Sequence, residues 1–131
     1  MKTYTDSKNL LDTNILIEAI NGVEPTASLV KNWMREGNIA ISIITIAEFL
    51  ANANKDEKEK LSLILTRFAP LPVEQTLAEI AASYRKEFYR KTKKVYLVDC
   101  LIAATAKLYN LTLVTKDTKD YPMKDIKIIK P

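Results

Sequence analysis

The chain has 131 residues, 47% hydrophobic and 27% charged, with a net charge of +4, a single cysteine and no histidine. That length suits one core, so a single domain over 1–131 is expected. The missing histidines exclude Ser/His and Cys/His nucleophile systems and the usual zinc sites, and Cys100 alone cannot close an internal disulfide.

The run Asn9 to Leu11 reads as a short strand entering Asp12-Thr13-Asn14, and Ile15, Leu16, Ala19 and Ile20 continue at helical spacing until Asn21-Gly22. Pro25 suits the first turn of a second helix, with Leu29, Val30, Trp33 and Met34 on its apolar side and Gly37 as a left-handed stop. Ile39 to Ile44 reads as a central strand, followed by Thr45-Ile46-Ala47-Glu48 and a helix to about Asn52. Its apolar run, Ile39 to Ala47, is far below the roughly 20 residues of a membrane helix, and the first ten residues lack a signal peptide's apolar core. No membrane association and a cytoplasmic location are therefore expected.

Lys55 to Lys60 reads as a solvated turn or helix start before the amphipathic face of Leu61, Ile64, Leu65 and Phe68. Leu71 to Val73, preceded by Pro70 and containing Pro72, suits an edge strand, and Leu77, Ile80, Ala81, Tyr84 and Phe88 mark a long helix fraying near Arg90. Lys91 to Lys94 then forms a link. Val98, Leu101, Ile102, Thr105, Leu108 and Tyr109 predict one apolar face on a helix whose first turn carries Asp99, with Asn110 as its stop. Leu111 to Val114 is a buried strand ending in Thr115-Lys116-Asp117, and Ile126 to Ile129 is a last, edge strand. The alternation of strands and helices predicts a parallel α/β sandwich.

Asp12, Glu48, Asp99 and Asp117 each lie just past a strand end or in the first turns of a helix. Each has an ordinary explanation. Asp12 caps a helix, Thr45 and Glu48 fit a T-x-x-E capping box, Asp99 favours a helix's positive end, and Asp117 suits a turn. Their convergence is what argues for a site, because a parallel sheet brings strand carboxyl ends and helix starts to one rim. Two like charges ~4 Å apart repel by about 4 kcal/mol at an effective dielectric of 20, so clustered carboxylates call for a compensating cation. All-oxygen ligands suit Mg²⁺ or Mn²⁺.

Four segments, LLDTNILIEAI, SIITIAEFL, DCLIAATAKLYNLTLVTKD and the DY that follows, together resemble the PIN domain, particularly its VapC-like toxin ribonuclease branch. The resemblance spans nearly the whole chain. It implies a PIN-like α/β/α sandwich with a central, mostly parallel sheet, and Mg²⁺- or Mn²⁺-dependent hydrolysis of RNA leaving 5′-phosphate and 3′-hydroxyl ends. By position, Asp12, Glu48 and Asp99 match the family's three core acids and Asp117 its more variable fourth, a place Asp120 also fits. Thr115 matches a hydroxyl residue beside the metal, and Asn14 a polar group supporting the acids. Whether one or two ions act stays open. The branch further implies a homodimer and a cognate antitoxin as partner.

The run Arg85 to Lys94 holds six basic residues and one acid. It reads either as a solvated helix end or as an RNA-backbone track carrying Arg90, Lys91, Lys93 and Lys94, with Lys116 as a further phosphate contact. Tyr89 or Phe88 is a candidate base platform, although Phe88 fits the core by spacing. Cys100 reads as a packing residue. Three rivals to the toxin remain: an RNA-processing PIN nuclease without an antitoxin, a PIN scaffold that binds without cleaving, and a receiver-like metal-binding signalling module. The last needs a phosphoacceptor at a central strand end, whereas Asp99 opens a helix.

Overall fold

The computed structural model describes residues 8–92 and 94–131. Its elements run β1 (Asn9–Leu11), α1 (Thr13–Ile20), α2 (Thr26–Arg35), β2 (Ile39–Ala40), α3 (Ile43–Asn52), α4 (Lys55–Leu65), α5 (Gln75–Thr92), α6 (Leu97–Leu108), β3 (Thr112–Val114), a 3₁₀ turn (Thr118–Asp120) and β4 (Lys127–Ile129). The four strands form one sheet in the order β2-β1-β3-β4, every pair parallel.

Alternation along the strands divides the core in two. Leu10 and Leu113 point to one face, where they join Leu77, Ala81, Phe88, Ile102 and Ala103 from α5 and α6. Leu11 and Val114, one residue on, point to the other face and meet Ile15, Leu16, Val30, Ile46, Phe49 and Leu61 from α1 to α4. A period of two in a sheet covered on both sides produces this split. The result is an α/β/α sandwich.

Several local expectations need correction. The strand expected over Ile39 to Ile44 is only Ile39–Ala40, and it lies at the sheet edge rather than the centre. The reason is Ser42, which has extended backbone and accepts a hydrogen bond from Ile44 N (3.0 Å), so it caps α3 and starts the helix three residues before Thr45. The Thr45–Glu48 capping box is thereby ruled out. A capping box does exist one helix later, where Asn54 and Glu57 exchange bonds and Lys55 to Lys60 becomes the first turns of α4. Leu71 to Val73 reduces to a single parallel bridge between Leu71 and Ser42.

On α6 the predicted face is also wrong in part. Val98, Leu108 and Tyr109 are each 38% exposed, while Cys100, Ala103, Ala104 and Ala106 are buried with Ile102 and Thr105. This helix lies between α5 and the sheet, and small residues let it approach both. Its end is as read, since Asn110 takes the left-handed conformation (φ 54°), as do Gly22 and Gly37. The long helix continues through Thr92, so the expected link shrinks towards Val95.

Candidate functional site: an acidic rim held by hydroxyls

Asp12 follows β1 directly and caps α1, its Oδ1 accepting from Thr13 N at 2.8 Å. Capping uses only that oxygen. Oδ2 accepts from the Thr115 hydroxyl at 2.8 Å and from the Tyr121 hydroxyl at 2.9 Å, two donors more than 100 residues away in sequence. Asp12 is 8% exposed and Thr115 fully buried. The contact with Thr115 follows from the sheet, because β1 and β3 are neighbours and Leu11 pairs with Val114.

Asp99 stands in the first turn of α6, where the Tyr121 hydroxyl lies 3.5 Å from its Oδ1. One phenolic hydrogen serves the shorter bond to Asp12. Burial first, and then the negative charges of Asp12, Asp120 and Glu48, push the Asp99 carboxyl up to about 6, partly opposed by the Tyr121 hydroxyl. The Tyr121 phenol is pushed well above its ordinary range by burial and by Asp12 and Asp99, so it stays a protonated donor.

Glu48 projects from α3 to accept the Thr13 hydroxyl at 2.6 Å, joining helices 35 residues apart. Asp117 is held by Asn14, whose Nδ2 donates to its Oδ2 at 2.9 Å while Asn14 Oδ1 accepts from Lys116 N at 3.3 Å. Thr115 completes that turn by accepting from Asp117 N at 3.1 Å. Asp120 is among the charges acting on Asp99, whereas Asp117 is engaged by Asn14.

The basic residues are arranged differently. Lys116 forms an ion pair with Glu18 at 2.9 Å, and Glu18 also accepts from buried Thr26, so this lysine spans α1 and the β3 turn. Arg90, Lys91 and Lys94 are exposed at the end of α5 and beyond it; Lys93 lies outside the described residues. Phe88 is buried. Tyr89 is 42% exposed, with the Arg85 guanidinium 3.8 Å over its ring, and with Arg90 and Leu97 it lines a shallow surface depression. Cys100 is fully buried, its thiol pushed up to about 11 by burial and Asp99, which suits packing.

Among the described residues, no three acids are arranged to hold an ion directly. That donor set still suits Mg²⁺, which keeps several waters and takes only one or two carboxylates alongside substrate phosphates. The raised Asp99 carboxyl records burial and then the neighbouring negative charge, both of which a cation would offset.

Sequence reading missed Thr13 and Tyr121 as parts of the site. The only signal for Tyr121 was its place beside Asp120 after the T-K-D turn; nothing local marks an aromatic as a partner of an acid 109 residues away.

A parallel α/β/α sandwich with carboxylates gathered at the strand carboxyl ends defines the class, and the PIN domain family matches residues 10–127. The chain belongs to that family. It is similar to the toxin FitB of Neisseria gonorrhoeae (34% identity; 93% of this chain and 96% of that protein) and to the ribonuclease VapC10 of Mycobacterium tuberculosis (28%; 87% and 86%). Among solved structures it is similar to VapBC2 from Rickettsia felis bound to a promoter DNA fragment, with a TM-score of 0.79 and 26% identity over 94% of this chain and 98% of that one.

Proposed function

We propose that this chain is a divalent-metal-dependent endoribonuclease and the toxin of a toxin–antitoxin pair, acting through a single domain. The observation that carries the reading is the meeting of Asp12 and Asp99 at one phenol, with Glu48 and Asp120 near enough to help push the Asp99 carboxyl up. Relatives named as ribonucleases and toxins, and a neighbour solved as a toxin–antitoxin complex from Klebsiella pneumoniae, support the activity and the partner.

In this reading Asp12, Glu48 and Asp99 would hold Mg²⁺ or Mn²⁺ directly or through its waters, with Asp117 or Asp120 as the fourth acid; the effect of Asp120 on the Asp99 carboxyl favours Asp120. The bound ion supplies a Lewis acid for the phosphate oxygens and lowers the pKa of water. Thr13 orients Glu48, Thr115 orients Asp12, and Asn14 fixes the turn bearing Asp117. Arg90, Lys91 and Lys94 supply phosphate contacts for RNA, while the Glu18 pair assigns Lys116 to holding the turn. A homodimer belongs to the same proposal, supported by the apolar surface that Leu97, Val98, Leu108 and Tyr109 leave on α6. No helix among the described residues is long and apolar enough to cross a membrane.

The test is cleavage of total RNA by wild type and Asp99→Asn, with Mg²⁺, Mn²⁺ or chelator. Discrete fragments with 5′-phosphate ends, formed only by wild type with metal, are expected. Equal cleavage by both proteins, or none from wild type under any metal, would sink the nuclease.

A further inference from the structure

The Tyr121 ring belongs to the apolar layer between the sheet and the α5/α6 pair, and a phenylalanine would fill the same space. Its hydroxyl is therefore the part that needs an explanation. A hydroxyl on a side chain only 4% exposed costs free energy unless it is partnered, and its partners here are Asp12 at 2.9 Å and Asp99 at 3.5 Å.

Acceptor counting on Asp12 sharpens this. A carboxylate offers about four acceptor positions, two on each oxygen. Oδ2 is filled by Thr115 and Tyr121, and Oδ1 has one position taken by Thr13 N. The remaining position on Oδ1 is the one left for a cation.

We propose that Tyr121 is a positioning residue for metal binding: its hydroxyl locks the Asp12 carboxylate so that Oδ1 faces the ion, and it sets the spacing between Asp12 and Asp99. This rests on the nuclease reading for the identity of the ligands. Without the hydroxyl, Oδ2 keeps only the Thr115 donor, and the carboxylate is held less firmly, by Thr13 N and Thr115 alone. Supporting partners of metal ligands typically contribute about 10–100-fold in affinity.

The test compares wild type, Tyr121→Phe and Tyr84→Phe after metal stripping. Tyr84 is an internal control, a second buried tyrosine whose hydroxyl donates to Asp125 at 2.8 Å instead of to the rim acids. Mn²⁺ is titrated with two readouts, the rise in melting temperature and the rate of RNA cleavage. For Tyr121→Phe both midpoints should move up by about 10-fold or more, with cleavage at saturating Mn²⁺ largely restored and KM for RNA unchanged. Tyr84→Phe should lower the melting temperature and leave the midpoints in place.

A wild-type midpoint in folded Tyr121→Phe overturns the assignment, and so does an equal shift in Tyr84→Phe. Should Tyr121→Phe fail to fold, Thr115→Val removes the other donor to Oδ2 and must shift the midpoint in the same direction, or the proposal falls. The thermal midpoint needs no RNA, so a metal-binding wild type that cuts nothing still tests Tyr121. A wild type with no metal midpoint overturns this proposal and the nuclease reading together.

Discussion

Asp99→Asn offers the sharpest test of whether burial, and then the neighbouring acids, disfavour the Asp99 charge in the metal-free fold. The folded-state carboxyl, pushed up to about 6 from an ordinary 3.8, binds its proton more tightly than the unfolded chain does. Stability contributed by this group is therefore present below about pH 4, is lost as pH rises through about 6, and stays lost above. The upper limit of that loss is about 3 kcal/mol. Asp99 is only partly buried, so screening by water reduces the expected loss to about 1–2 kcal/mol. For a chain of this length that is roughly 3–8 °C in melting temperature.

The assay is thermal melting with chelator from pH 4.5 to 7.5. Asn keeps the shape and can still accept from Tyr121 but carries no charge, so the mutant should melt several degrees above wild type at pH 7.5. The gap should narrow steadily towards pH 4.5. Adding Mn²⁺ at pH 7.5 should raise wild type and leave the mutant nearly unmoved. A mutant less stable than wild type by the same margin at every pH would refute the reasoning, since Asp99 would then be holding the fold through contacts that do not depend on charge.

Other perturbations separate the site from its scaffold. Lys116→Ala removes the pair with Glu18 across α1 and the β3 turn; a loss of no more than about 1 kcal/mol in chemical denaturation is expected, with metal midpoint and RNA affinity unchanged. A large rise in KM for RNA would return Lys116 to phosphate binding. The Thr45 hydroxyl is fully buried and has no hydrogen-bond partner among the described residues, so Thr45→Val should be neutral or raise stability by about 1 kcal/mol in the same measurement. Asn110→Ala places a side chain that disfavours positive φ at the end of α6 and should cost about 1 kcal/mol, whereas Asn110→Gly should be tolerated.

What could be read from the sequence is what depends on neighbours along the chain. The short apolar run into Asp12 and the helical spacing after it locate a strand-to-helix turn, and Asn110 announces a helix end, because both signals lie within a few residues. Periodicity failed on α6 because it weights large side chains. The helix is buried through Ala103, Ala104 and Ala106, whose small size permits close packing on two sides, and Val98, Leu108 and Tyr109 are left half out. Ser42 was overlooked because its cap begins inside an isoleucine-rich run that suits a strand equally well. The Glu48 partner was illegible for a different reason: Thr13 meets it only after α1 and α3 have packed on the same side of the sheet.

The rim also suggests why carboxylates can gather there before any cation arrives. Asp12 takes three hydrogen bonds, Glu48 takes one from Thr13, and Asp117 takes one from Asn14. Each donor is neutral, so it stabilises negative charge without cancelling it, and the net field remains available to an ion. Among the described residues Asp99 has only the long contact with Tyr121, and burial and its acidic neighbours push it towards protonation. Its charge is the one least provided for by the protein. A cation binding beside Asp99 would remove the proton that burial and repulsion retain, so the affinity for metal should weaken as pH falls below about 6. Lysine or arginine in place of the neutral donors would hold the acids more firmly, at the expense of the net negative field that a cation would need.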